Sequence, residues 1–318
     1  MPKQDTFAGS GFEKYGRMTR RERFLNEMDK AVPWQALLEV IEPYYPKEPG
    51  QRGGRPPRGL EVMLRIHLLQ HWFTLSDPGV EDALYESPIL RQFVGIDLGR
   101  EPVPDETTVM RFRHLLEEYD LGRQLFETIN DVLRTKGLLL QKGTIVDATM
   151  INAPSSTKNA SGERDPEMHQ TKKGEQWYFG MKLHVGVDMD SKVIHSIDVT
   201  SAEVYDGNCI ANLLHGEERA VYGDQLYAGR TDVIAVHAPK AVDLTNERVR
   251  QRDVENPALR RNRKKTRVRA KVEHPFHTIK RVFGFSYTRL RGIAKNTNRL
   301  YLTCAMANLH RCRHRLAT

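Results

Sequence analysis

Acidic residues all but vanish from the final 59 positions of this chain. Arg260 to Thr318 carry seventeen Lys and Arg against one carboxylate, Glu273, whereas the first 259 residues hold 32 basic and 40 acidic ones. The overall charge of +8 is therefore a −8 segment followed by a +16 segment. Cysteine is also scarce. Cys209, Cys304 and Cys312 are odd in number and lack CxxC spacing, which excludes a disulfide framework and a zinc ribbon. The tail "CAMANLHRCRHR" could offer Cys304, His310, Cys312 and His314 to a metal, but its arginines favour a basic helix end. No apolar run approaches the roughly 20 residues of a membrane span, and the N-terminus has no signal-peptide apolar core, so a cytoplasmic protein is expected. With 39% hydrophobic and 28% charged residues, the composition is that of a folded chain rather than a disordered one.

The charge asymmetry points to a polyanionic partner held by the C-terminal part. A carboxylate within a phosphate-binding surface repels the ligand, so Glu273 in "RVRAKVEHPFHTIKR" is read as binding a cation that in turn meets the phosphate. If the segment around 267–285 is helical, Arg269, Glu273, Phe276 and Lys280 share one face. The competing reading is an i, i+4 ion pair between Arg269 and Glu273. Pro275 either kinks this helix or starts a new one.

Local signals divide the chain. Thr19 with Glu22 forms a capping box, and Pro33 stands at the start of "WQALLEVIEP". The stretch "PKEPGQRGGRPPRG" (46–59) is too rich in Pro and Gly for regular structure and reads as a basic loop. Beyond it, "LEVMLRIHLLQHWFTL" (60–75), "ETTVMRFRHLLEEY" (106–119) and "LGRQLFETINDVLRTKG" (121–137) are helical, with Ser76 and Asp105 as N-caps. At "GTIVDATMI" (143–151) a β-branched run marks a boundary near residue 140. Strands follow at 177–188 and 193–202, then a helix at 205–218 and a short strand at 219–224. The expected divisions are a helical segment over 1–45, a helical domain over 46–138, and a mixed α/β domain over 139–318. Trp72 and Trp177 are expected in the core rather than as base-stacking platforms.

Asp147 interrupts an apolar strand, where an ionised group is costly unless paired or metal-bound. Asp224 ends the strand "AVYGD", at the carboxyl end where α/β sheets place ligand groups. Singly, a salt bridge and a turn aspartate account for them. Together with Glu273 they are the parts of a two-metal phosphoryl-transfer site, in which Mg2+ takes carboxylate, phosphate and water oxygens. Asp188 and Asp206 are rival carboxylates, read as shaping a hairpin turn and capping a helix.

The blocks "DATMINAPSSTKN", "RDPEMHQTKKGEQWYFGMKLHVGVD", "LLHGEE" and "YGDQLYAG" resemble the catalytic domain of bacterial insertion-sequence transposases of the DDE class, specifically the insertion-sequence five family. Arg269, Glu273 and Lys280 fit that family's Tyr, Arg, Glu, Lys signature, with Thr266 standing where the signature has Tyr. The blocks at 52–84 and 104–117 are similar to its N-terminal helical domain, which implies that the helical domain over 46–138 binds DNA. The resemblance implies a ribonuclease H-like catalytic domain carrying two Mg2+ or Mn2+ ions on Asp147, Asp224 and Glu273. It also implies terminal inverted repeats and target DNA as partners, and a homodimer in the synaptic complex. Arg269, Lys280, Lys264, Lys265 and Arg267 are then expected to hold phosphates; Lys182 and His184, on one side of their strand, either line the same cleft or belong to a solvated or satisfied sheet face. Arg52, Arg55 and Arg58 are read either as contacting phosphate or the minor groove or as part of a solvated interdomain linker. A metal-dependent nuclease and a non-catalytic DNA-binding protein on this fold are the alternatives.

Overall fold

A computed structural model describes residues 17–47, 56–159, 162–248 and 257–317. The first part is helical: α1 (Arg20–Ala31), α2 (Trp34–Ile41), α3 (Leu60–Phe73), α4 (Asp77–Glu86), α5 (Pro88–Val94), α6 (Glu106–Glu118) and α7 (Leu121–Thr135). The caps read from sequence form. Thr19 Oγ1 accepts from Glu22 N while Glu22 accepts from Thr19 N, Ser76 Oγ accepts from Gly79 N, and Asp105 Oδ1 accepts from Thr108 N at 2.7 Å. Each satisfies backbone donors that a helix start leaves free.

After β1 (Thr144–Asn152) come β2 (His169–Lys173), β3 (Gln176–Asp188) and β4 (Ile194–Ser201), a 3-10 helix (Asp206–Leu213), β5 (Ala220–Tyr222), α8 (Thr231–His237), β6 (Val242–Asp243), α9 (Pro257–Arg269), α10 (Glu273–His277) and α11 (Ile293–Leu316). The sheet order is β2-β3-β1-β5-β6, with β4 also on β3. β1 and β3 are antiparallel, whereas β1, β5 and β6 are parallel. The segment expected as a helix over 205–218 is instead a 3-10 helix ending at Leu213. Gly207 within it disfavours the α-helix, and Glu218 accepts from His215 N and Gly216 N where a longer helix would have continued.

One face of the sheet, with Ile145, Ile151, Met181, Leu183, Val185 and Val187, joins a core that also contains Leu25, Leu68, Leu125, Phe276 and Leu309. The helical part and the sheet therefore share one apolar interior across the boundary near residue 140. α11 does the joining, packing against α1, α3, α7 and β4. Asn308 on α11 donates to Ile194 O at 2.7 Å and to Asn130 Oδ1 of α7 at 2.9 Å, and accepts from Ile194 N. Gly122 permits the close approach of α7 to α11, since a Cβ there would collide with the Asn298 backbone and side chain. The other sheet face packs Val146 and Val221 with Ile210, Leu213, Tyr227 and Ile234. All three cysteines are buried, and burial pushes the Cys312 thiol up. Among the described residues, no helix is long and apolar enough to cross a membrane.

Candidate active site

The parallel pairing of β1 with β5 sets Ile145 beside Tyr222. Continuing that register by two residues brings Asp147 level with Asp224, just past the end of β5. Side chains two apart on a strand share a sheet face, so Asp147 lies on the face of Ile145, which lines the larger core, while Asp224 begins the turn after β5. Glu273 comes to them along the C-terminal helical path. α9 packs beside β1 and β5, and the turn after it also meets β1.

Pro275 neither ends this path nor starts a fresh helix. The backbone stays right-handed helical from Pro257 to Val282, tightening to a 3-10 turn over Ala270–Val272 and widening to a π turn over Thr278–Val282. A proline lacks the amide an α-turn needs, and such irregular turns recur at functional sites. Glu273 opens α10 immediately after the tight turn and is exposed, while Lys280 lies in the π turn, half-buried.

Arg269 does not pair with Glu273. Its Nη1 donates to Asp147 Oδ2 at 2.8 Å, and its Nε is buried without a partner among the described residues. Asp147 Oδ1 accepts from Ala148 N at 2.8 Å. Burial pushes the Asp147 carboxyl up to about 6, an effect opposed by the Ala148 amide and Arg269 and reinforced by Asp224 and Glu273. Asp224 and Glu273 thus stand near enough to act on the Asp147 carboxyl. Asp224 Oδ1 accepts from Leu226 N, which fixes the turn after β5.

The donor set suits Mg2+ or Mn2+: hard oxygens, mutually repelling, one of them strongly desolvated. Among the described residues, however, no three His, Cys, Asp or Glu side chains stand close enough together to hold a metal ion. Asp147 Oδ2 is held by Arg269 instead.

Other residues position this face. Asn262 on α9 accepts from Glu247 N at 3.0 Å and donates to Glu247 O at 2.9 Å, while Arg261 and Lys265 pair with the Glu247 carboxylate. Thr266, at the signature's tyrosine position, accepts from Asn246 Nδ2 at 3.1 Å. These contacts fasten α9 to the segment after β6. Asn246, Glu247 and Asn262 were not foreseen, because a polar stretch such as "LTNER" carries no periodic signal. Lys264 and Arg267 are exposed on α9.

Several expected contacts are placed elsewhere. The β1–β3 register pairs Asp147 with Val185 and Ala148 with His184, so Lys182 and His184 project from the opposite face and do not line the Asp147 cleft. Lys182 donates to Val204 O at 2.7 Å and pairs with Asp206 at 2.8 Å, and His184 is bonded to Thr200 at 2.8 Å. Asp206 is therefore an ion-pair partner rather than a helix cap. Asp188 shapes the hairpin, accepting from Asp190 N, Ser191 N, Ser191 Oγ and Gln141 N. Arg58 is held inside the fold by Glu101 and the Pro102 carbonyl, while Arg52 and Arg55 lie outside the described residues. Trp72 is buried as expected, but Trp177 is 64% exposed.

A mixed sheet flanked by helices, behind a helical N-terminal region, is the architecture of a ribonuclease H-like DDE domain. Residues 139–309 match the family described as Transposase DDE domain, and residues 13–115 match a second, described as Transposase domain (DUF772). The chain belongs to the DDE transposases of insertion sequences, whose general activity is DNA transposition and whose partner is DNA. No solved structure matches the chain.

Proposed function

We propose that this transposase cleaves the ends of an insertion sequence and joins the freed 3′-hydroxyl to target DNA through two in-line phosphoryl transfers. What supports the reading is Asp147 on β1 with Asp224 just past the adjacent, parallel β5, and Glu273 and Asp224 both acting to raise the buried Asp147 carboxyl. Asp147 would bridge two Mg2+ or Mn2+ ions, with Asp224 and Glu273 completing one site each. When bound, such ions activate the attacking oxygen and stabilise the leaving one.

The chain's own groups supply position and charge. Arg269 moves from Asp147 to a DNA phosphate, so that one guanidinium serves the carboxylate before DNA arrives and the ligand afterwards. Lys264 and Arg267 on the exposed side of α9, with Lys280 beyond Glu273, hold further phosphates. The region over 13–115 reads the terminal repeats, and two copies pair two ends in a homodimer. The protein works in the bacterial cytoplasm, on the nucleoid when bound.

The test is labelled end DNA incubated with target DNA and Mg2+. Joined products are expected, and nicking without joining would leave a metal-dependent nuclease. Asp147→Asn, Asp224→Asn and Glu273→Gln should each abolish cleavage while DNA binding persists. Cleavage that survives in one of them removes that residue from the site, and cleavage absent from the wild-type chain favours a DNA-binding protein without catalysis.

A further inference from the structure

The amino-terminal end of β3 leaves the body of the sheet. β1 stops pairing at Asn152 opposite Gly180, and β4 stops at Ser201 opposite Met181. Phe179 O still accepts from Ala153 N at 2.8 Å, just past β1, and residues 176–178 pair with β2, which makes a two-stranded arm projecting from the carboxyl end of β1. Trp177 sits near its tip, 64% exposed. Its cross-strand neighbour is Lys172, a cation rather than an apolar partner.

The register fixes which way the arm faces. Trp177, Phe179, Met181, Leu183 and Val185 alternate onto one side of β3, and Val185 is the partner of Asp147. Trp177 therefore projects from the carboxylate face. Lys172 lies opposite it, and the Arg164 guanidinium stands 5.5 Å from the Phe179 ring centroid. The nearby Glu175 pairs with Lys172 at 3.7 Å, but both side chains are exposed, which makes the pair weak. Eight residues at about 3.3 Å each put Trp177 roughly 26 Å along the strand from Val185. Duplex DNA covers that length in about seven to eight base steps.

We propose that the β2–β3 arm is a DNA-contact element. The Trp177 indole stacks on a base of DNA whose phosphate lies at Asp147, Asp224 and Glu273, and Lys172 neutralises a neighbouring phosphate. An aromatic face beside a cation is the chemistry that binds an unstacked base together with its backbone. The proposal rests on the assignment of those carboxylates as the cleavage site.

The experiment uses the full chain with Asp147→Asn, so that end DNA is bound but uncut, and 2-aminopurine placed singly along duplex and single-stranded versions of the end. Emission should change about seven to eight nucleotides from the cleavage position, with Trp177 and with Trp177→Phe but not with Trp177→Ala. Trp177→Ala should weaken binding by roughly 5- to 100-fold, and Lys172→Ala should lower the salt dependence by about one phosphate. A response on the duplex means the arm unstacks the base, and a response on the single strand alone means it takes a base already free. Either supports stacking. Unchanged affinity and emission in Trp177→Ala would overturn the proposal. So would a change in DNA-free sedimentation of that variant, which would make the indole a contact between two copies. If Trp177→Ala is silent while the wild-type chain still cleaves end DNA, only the arm's role falls. If the wild-type chain does not cleave, the functional reading itself falls.

Discussion

Replacing Asp147 with asparagine should stabilise the protein while abolishing its chemistry. The Asp147 carboxyl titrates near 6 in the fold because burial disfavours its charge more than Arg269 and the Ala148 amide favour it. An unfolded chain ionises the same group near 3.9. About two pH units separate the two states, and at about 1.4 kcal/mol per unit the ionised carboxylate destabilises the native state by ~3 kcal/mol at pH 8. The sign follows from proton binding. Below the unfolded value both states are protonated and there is no penalty; the penalty grows as pH rises and is complete above about 6. Asparagine keeps the shape without the charge but weakens the bond to Arg269, so the net gain should be ~1–3 kcal/mol. Urea denaturation of wild-type and variant without divalent metal, at pH 8 and pH 4.5, measures it. A gain at pH 8 that shrinks towards pH 4.5 is expected. A variant less stable than wild type at pH 8, or a difference independent of pH, would refute the claim that desolvation governs Asp147.

Asn262→Ala should remove both hydrogen bonds to Glu247, lower stability by ~1–3 kcal/mol, and slow cleavage by loosening α9, as read from urea midpoints and nicking rates. Burial holds His67 down at about 4. Stability should therefore fall as pH drops below 6.5, by ~3 kcal/mol in total once His67 itself protonates, and His67→Gln should flatten that acid limb in pH-resolved melts. Lys264→Ala combined with Arg267→Ala should reduce the slope of log affinity against log salt by about two, without altering which end sequence is preferred.

Features governed by near neighbours were legible before the structure. Thr19, Ser76 and Asp105 announced their helices because a cap acts within three residues of itself, and the alternation of β3 separated Lys182 and His184 from Val185. Whether Asp147 stood with one set or the other depended on pairing with a strand some forty residues away, and that register put it with Val185. The approach of Arg269 to Asp147 was hidden for the same reason. Spacing on a uniform helix made Glu273 its natural partner, while the 3-10 turn between them redirected the guanidinium. Trp177 belonged to the apolar side of its strand, and only the early ends of β1 and β4 left it uncovered.

The shared interior built by α11 bears on how the chain matures on the ribosome. His71 of α3 is bonded to Thr303, 232 residues downstream, and Leu25 and Met28 belong to the same core as Leu302 and Leu309. The early helices can form their turns as they emerge, but their apolar sides stay uncovered until almost the whole polypeptide has been synthesised. A product arrested before Ile293 would expose that surface to chaperones and proteases instead of persisting as a DNA-binding fragment. Competence to grip DNA and possession of a finished catalytic domain should therefore arise in the same translation event.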